Sequence, residues 1–199
     1  MVRYVKNDGR AVAALAHFLD VFESILSTQM RLGVKESVLL TSKGNIASLM
    51  SKLDRNDEAL AMQRRIYAQE VSLFGKQDER NLQTILNLSD MLIKNQDFAE
   101  ARSLLRETID VSRTVVGPEN YVTFKLCAKY SHAVLAGLQA NRHAESGDLL
   151  DAEKTLGDSV EKARRVLGPK NPVTADMLSD LTRLRKIIGH VRASGKGPI

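Results

Sequence analysis

The sequence predicts an all-α fold, in which about eight helices form a superhelix of antiparallel pairs. Apolar residues recur with a helical period, and an apolar residue followed by glycine recurs along the chain. The landmark glycines, Gly33, Gly75, Gly117 and Gly168, are spaced by 42, 42 and 51 residues. Four prolines, twelve glycines and no tryptophan also give little of the turn punctuation that a fold of many short strands needs.

The copy at residues 73–114 is the most regular and shows how each pair is built. Its first helix, at about 78–94, has apolar residues at helical spacing. Its second helix carries Phe98, Ala101 and Leu105 on one face, as an amphipathic helix does. The copy is therefore predicted to be a helical hairpin that buries one side of each helix.

The ends of the second helix are also predicted from local residues. Asp97, with Glu100 three residues later, resembles a capping box that begins the helix. Gly117-Pro118 then ends it, since glycine tolerates the left-handed conformation past a helix end and proline cannot continue the helix.

The other elements follow from the same landmarks, within a single domain at residues 1–199. The predicted elements are an N-terminal helix at 11–31, helix-pair repeats at 34–73, 76–115 and 118–166, a C-terminal helix at 172–189 and a flexible tail at 190–199. The third pair has nine additional residues, which we assign to a longer loop at 140–147. Ala59, Ala101 and Ala152 are equivalent, and a bulky residue there would cost about 1–3 kcal/mol by overpacking.

Composition excludes several classes of protein. With 43% apolar and 27% charged residues the chain has an ordinary soluble composition. We find no run of about eighteen apolar residues, which predicts no membrane span. Asp8, His17 and Asp20 interrupt the N-terminal apolar patch, against a secretory signal. A single cysteine excludes an internal disulfide, argues against a cysteine-rich metal site and favours a cytoplasmic setting.

The sequence gives little support for catalysis. Histidines 17, 132, 143 and 190 are scattered without metalloprotease spacing, and no glycine-rich phosphate loop occurs. Cys127 aligns with the apolar Ile85, so it is predicted to be a core residue rather than a nucleophile. We therefore expect neither an enzyme nor a cofactor or metal site.

Residues in the regular copy resemble a known family. Phe98-Ala99-Glu100-Ala101, with Leu105 one turn later, is similar to a tetratricopeptide repeat. The usual repeat has about 34 residues, so about eight further residues here would add about a turn to each helix. This resemblance covers about residues 11–188 and implies the superhelical fold.

The 42-residue period and its turn resemble the repeats of kinesin light chains. Residues 117–120 and 168–172, Gly-Pro-Glu-Asn and Gly-Pro-Lys-Asn-Pro, stand where that family has a Gly-Pro-Asp-His-Pro-like turn. Leu86-Asn87-Leu88 is similar to its Leu-Asn-Asn-Leu motif. The histidine of the turn is missing in every copy, and Asn45 and Asn87 each represent only one asparagine of the pair. These departures remove any basis for predicting kinesin binding.

The resemblance implies a concave groove, lined by the first helix of each pair, that binds a peptide or helix of a partner protein. The residues expected to line it are Asn45, Ser48, Lys52, Asn87, Asp90, Lys94, Lys125, Lys129, His132, Arg183 and Lys186. An asparagine amide can both donate to and accept from a peptide backbone, so Asn45 and Asn87 could hold an extended ligand. The alternative is that both are ordinary solvated residues of amphipathic helices.

Charge suggests the chemistry of the ligand. Residues 160–199 contain nine basic and three acidic residues, which favours an acidic peptide. Nucleic acid is disfavoured because the stacking aromatic residues of single-strand binders are not interleaved with this charge. The other function class left open is a structural helical module of a larger enzyme, such as the C-terminal repeats of a SET and MYND methyltransferase.

Overall fold

The computed structural model describes residues 9–140 and 146–193. Within these ranges the chain contains eight α-helices and no strand, which confirms the predicted all-α fold. The helices are α1 (Gly9–Arg31), α2 (Glu36–Lys52), α3 (Asn56–Phe74), α4 (Asn81–Lys94), α5 (Phe98–Val115), α6 (Tyr121–Gln139), α7 (Ser146–Leu167) and α8 (Pro172–Ala193). We call α2, α4, α6 and α8 the first helices of their pairs, and α1, α3, α5 and α7 the second helices.

Residue contacts divide the chain into unit 1, Met1–Lys76, and unit 2, Gln77–Ile199. In unit 1, α2 packs against both α1 and α3. Helix α2 buries Leu40, Ile46 and Met50 in the core of this unit, and α3 buries Leu60 and Ile66. Among its described residues α1 buries only Leu19, so most of its apolar surface remains accessible.

Helix α6 is the centre of unit 2, where it contacts α4, α5, α7 and α8. Its side chains are buried on several sides rather than along one stripe, as a helix surrounded by others requires. Phe124, Leu126, Tyr130 and Leu135 are each at most 1% exposed. The first helices of this unit form one layer, because α6 lies between α4 and α8.

The predicted small-residue positions are fully buried. Ala59, Ala101 and Ala152 all have 0% exposed surface, although they belong to three different copies. Ala152 is thus buried like its counterparts, although the third pair carries a nine-residue insertion.

The four landmark glycines adopt the left-handed conformation that the repeat predicts, with φ between 63° and 96°. Beyond this glycine each unit 2 copy has an Asx turn, in which a side-chain oxygen accepts a hydrogen bond from the backbone N–H two residues later. The acceptors are Asp78, Asn120 and Asn171, at N···O distances of 2.9, 2.8 and 2.9 Å. The Arg80 guanidinium, together with this backbone N–H, lowers the pKa of Asp78 to about 2.

The predicted capping box at α5 does not form. Asp97 is the residue before the helix, but its side chain makes no capping hydrogen bond. Its ψ of 52° differs from the extended backbone that aims a side-chain oxygen at the first amides, whereas Asn120 at α6 has ψ of 143° and caps that helix. The sequence pattern was therefore right about where α5 begins and wrong about how it is capped.

Two predicted boundaries also change. Helix α8 continues to Ala193, so residues 190–193 of the predicted tail are helical. Gly189 does not end the helix because it keeps a right-handed conformation, and basic residues at 190 and 192 suit the negative end of the helix dipole. Helix α7 begins at Ser146, inside the predicted loop. Residues 141–145 of that loop and 194–199 of the tail lie outside the described residues.

The prediction that no segment could span a membrane does not hold for α1. This helix has 23 residues and an 18-residue window with a mean hydropathy of 1.4, so it is long and apolar enough to cross a bilayer by length and composition. Only 6% of that window is buried within the protein. A core helix of similar composition would be mostly buried, so the apolar surface of α1 requires another explanation.

Candidate functional site

The residues predicted to line a groove all lie on first helices, and none of them is buried in the core. In unit 2 they are Asn87, Asp90 and Lys94 on α4, Lys125, Lys129 and His132 on α6, and Arg183 and Lys186 on α8. Because α4, α6 and α8 pack side by side, these residues share one layer of helices. We call this surface of unit 2 the first-helix face.

An ion pair joins α4 to α6 on the first-helix face. Lys129 Nζ donates to Asp90 Oδ1, so the two predicted site residues are partners of each other. Asn87 lies about one helical turn before Asp90 on α4. Its Oδ1 accepts a hydrogen bond from Gln83 Nε2 at 3.0 Å. That hydrogen bond fixes the amide plane of Asn87, which is half-buried, and leaves its NH₂ group pointing away from Gln83.

A second polar contact joins α6 to α8. Ser131 Oγ donates to Asp180 Oδ2 at 3.1 Å, and Arg183 donates to the other carboxylate oxygen at 3.3 Å. Asp180 is only 8% exposed. Burial raises the pKa of Asp180, against the opposing effects of Ser131, His132 and Arg183. The carboxylate of Asp180 therefore connects α6 to α8.

The remaining cations differ in how strongly they are held. Lys125 Nζ lies 5.7 Å from the ring centroid of Tyr121, a side chain that is 47% exposed. His132 and Lys186 are exposed, and neither makes a hydrogen bond or ion pair within the described part of the chain. The first-helix face therefore has an ion pair between α4 and α6, and an exposed lysine, Lys186, on α8.

Unit 1 carries the other three predicted residues on α2. Asn45 and Lys52 are exposed, while Ser48 Oγ donates to the carbonyl oxygen of Gly44 at 3.0 Å within the same helix. Asn45 occupies the position in its copy that Asn87 occupies in the next. The hydroxyl of Ser48 is already used, so Asn45 and Lys52 are the groups of α2 with capacity for a ligand.

Two features of the described residues bear on chemistry, the metal-ligating side chains and the one cysteine. No group of three or more metal-ligating side chains occurs in residues 9–140 and 146–193. Cys127 is fully buried beside Ser159 Oγ, at 3.6 Å, and burial raises the pKa of its thiol. A thiol held protonated in the core is a poor nucleophile.

Paired helices, a left-handed glycine after each second helix and a buried alanine in each copy define a stack of tetratricopeptide-like repeats. Residues 38–114 match the Tetratricopeptide repeat family. This match covers 77 of the 199 residues, and the fold of the chain is of the tetratricopeptide-like repeat type.

Two solved structures support this assignment of fold. Both are of a Podosopora anserina protein described as a kinesin light chain with nearly identical TPR-like repeats, and one of them carries a single substitution. Each is 15% identical to this chain, covers 92% of it and is itself covered over 82% of its length, with TM-scores of 0.72 and 0.71. At this identity the likeness concerns the fold alone. No curated protein matches the sequence.

Proposed function

We propose that the chain is a non-catalytic interaction scaffold, which binds a peptide or helix of a partner protein in a concave groove formed by its first helices. Tetratricopeptide repeats generally mediate protein–protein interaction, and a fold of this type is typically a scaffold rather than an enzyme. The observation that carries the proposal is the first-helix face, where polar residues of three adjacent helices remain outside the core. A cytoplasmic setting, in which the Cys127 thiol stays reduced, belongs to the same proposal.

Asn87 supplies the first contact with the ligand. Its Oδ1 is held by Gln83, so its NH₂ group is oriented to donate to a backbone carbonyl of a bound peptide. A contact with the backbone does not depend on the peptide side chains. Asn87 therefore contributes affinity, and the surrounding charges contribute specificity.

The charges favour an acidic peptide. Lys186 is an exposed cation that makes no hydrogen bond or ion pair with a described residue, and Lys125 has the Tyr121 ring beneath it. His132 is exposed on the same face. A carboxylate that approaches Lys129 competes with Asp90 for the same ammonium group. Binding of this kind weakens as salt screens the attraction.

The test is an affinity measurement on the whole chain with a peptide selected from a random peptide library. We expect Asn87→Ala and Lys129→Ala each to weaken binding by about tenfold, as the loss of one well-placed polar contact does. Ser103→Ala, at an exposed position of α5, is the control and leaves binding unchanged. Selected peptides that bind both variants as tightly as the original chain would remove the first-helix face from consideration.

A further inference from the structure

Unit 1 contains an apolar crevice that is separate from the residues discussed so far. It has a volume of about 730 Å³ and lies between α1 and α3, with α2 as its floor. Its apolar surface comes mainly from Leu26, Met50, Ala61, Met62 and Ile66. We call it the α1–α3 crevice. It lies beside the part of α1 that is apolar and accessible.

The outward surface of α3 differs from the equivalent surfaces in the other copies. Three residues of α3, Ala61, Arg65 and Ala68, have counterparts 42 residues later on α5 and a further 51 residues later on α7. On α5 the counterparts are one polar and two acidic residues, and on α7 they are one basic and two acidic residues. These counterparts are Ser103, Glu107 and Asp110, and Lys154, Asp158 and Glu161. A polar wall is well solvated by water, whereas covering an apolar wall with a partner lowers the free energy of the system.

The corresponding second helices of unit 2 are joined by polar contacts. Arg102 Nε pairs with Asp148 at 3.0 Å, and an Arg106 nitrogen pairs with Asp151 at 2.9 Å, so ion pairs connect α5 to α7. At the positions of the two arginines α1 has Phe18 and Phe22. Helix α1 is therefore apolar at both positions, whereas α3 has Leu60 at the first and keeps a basic residue, Arg64, at the second.

The apolar walls of the crevice favour a ligand that satisfies its own backbone. Its walls and floor are continuous helices, whose backbone groups are already bonded within each helix. An extended peptide placed there would bury amides without partners. An α-helix forms these hydrogen bonds internally and offers an apolar stripe, and two methionines in the crevice give the packing surface that adapts to such a stripe.

Charge on the rim indicates which helix fits. Glu58 is paired with Arg55 at 2.7 Å, and Lys43 with Glu36 at 3.4 Å. Arg65 lines the crevice but makes no ion pair or hydrogen bond with any described residue. The one unbalanced rim charge is therefore positive, and it is complemented by a carboxylate.

We propose that the α1–α3 crevice binds an amphipathic helix of a partner protein, which inserts an apolar stripe between α1 and α3 and places an Asp or Glu beside Arg65. This site is distinct from the first-helix face, and it uses residues of a different unit. Its partner is recognised by a helical apolar stripe with one acidic position, whereas the ligand of the first-helix face is recognised through its backbone.

The experiment selects binders to the whole chain from a displayed library of peptides on a fixed helical scaffold. We expect enriched sequences to carry large apolar residues at spacings of three and four, with one Asp or Glu at a constant position. Ala61→Glu should weaken their binding at least about tenfold, because it places a charge in the apolar wall. Ser103→Glu, the equivalent exposed position in unit 2, is the matched control and leaves binding unchanged.

A charge exchange tests the contact with Arg65. Arg65→Glu should weaken binding, and replacing the acidic residue of the peptide by lysine should restore it. Asn87→Ala should leave these helices bound, which separates this site from the first-helix face. Circular dichroism checks that each variant is folded.

Four results would overturn the proposal. They are the absence of any enriched helix, binding that is indifferent to Ala61→Glu, binding to phosphatidylcholine–phosphatidylglycerol vesicles that Ala61→Glu abolishes, or self-association in sedimentation that Ala61→Glu abolishes. The last two would assign the crevice to a lipid surface or to a second copy of the chain.

Discussion

At the scale of single residues, the repeated turn was only partly evident from the sequence. The Gly-Pro-x-Asn motif predicted a turn at residues 117–120, but not that the asparagine caps the next helix. Asn120 and Asn171 do this in the third and fourth copies, and Asp78 makes the same contact in the second. The equivalent residue of the first copy is Glu36, whose longer side chain makes no such cap, and α2 begins without one.

Polar contacts between helices were harder to predict than turns. The sequence placed Lys129, Asp90 and Arg183 on the correct helices, because a helical period determines which residues share a face. It could not show that Lys129 pairs with Asp90, or that Ser131 holds Asp180. Such pairs depend on the stagger and separation of neighbouring helices, which the packing of the core determines.

Asp180 gives a prediction about pH. The pKa of Asp180 is raised in the folded state, so the folded chain keeps this proton at pH values above the ordinary pKa of 3.8. The unfolded chain loses the proton more readily, and the free energy of unfolding therefore decreases as pH rises. Asp180→Asn keeps an acceptor for Ser131 without the buried charge. The free energy of unfolding of the variant, relative to the original chain, should therefore increase from pH 4 to pH 7 in urea titrations.

The facing groups His132, Arg183 and Asp176 are the same in both proteins, so the two proteins differ only in the Asp180 carboxyl group. A difference in unfolding free energy that is constant between pH 4 and pH 7 would show that Asp180 has an ordinary pKa.

At the scale of elements, the helices agree with the sequence prediction to within a few residues, because each is defined by a strong apolar period. The errors lie at their ends. Asp97 begins α5 without capping it, and Gly189 lies inside α8 rather than after it. Both errors arise from assigning one role to a residue type whose role depends on the local φ and ψ angles.

Gly117 supplies the test at this scale. Its φ is 96°, and an added Cβ would meet no atom within 4 Å, so Gly117→Ala changes backbone strain alone. We expect it to lower the free energy of unfolding by about 1–2 kcal/mol. Gly189→Ala, inside α8 and also in open space, should instead raise it by about 0.5–1 kcal/mol. Thermal unfolding of both variants measures the contrast, and equal shifts would exclude strain at Gly117 as the cause.

At the scale of the whole molecule, the repeat register was predicted best, because spacing and small residues repeat along the chain. The sequence did not predict how the proposed binding sites are distributed over the repeats. Asn45 and Asn87 were found from the motif, but the α1–α3 crevice depends on which copies lose polar residues at positions that look variable. Comparing copies at Ala61, Ser103 and Lys154 could have shown this.

The register itself is tested by Ala101→Arg. Ala101 has 0% exposed surface, so an arginine there forces a bulky, uncompensated charge into the packed core. We expect a loss of at least about 3 kcal/mol in the free energy of unfolding, or a chain that does not fold. Ala99→Arg, two residues away on an exposed position, should change the melting temperature little. If Ala101→Arg melts like the original chain, the assigned register is wrong.

The central claim is that a ligand binds across the first helices rather than the second helices. The most direct measurement is the change in backbone amide chemical shifts when a library-selected extended peptide is added to the isotope-labelled chain. We predict changes concentrated on α4, α6 and α8, including the amides around Asn87 and Lys129. Changes confined to α5 and α7 would contradict the claim.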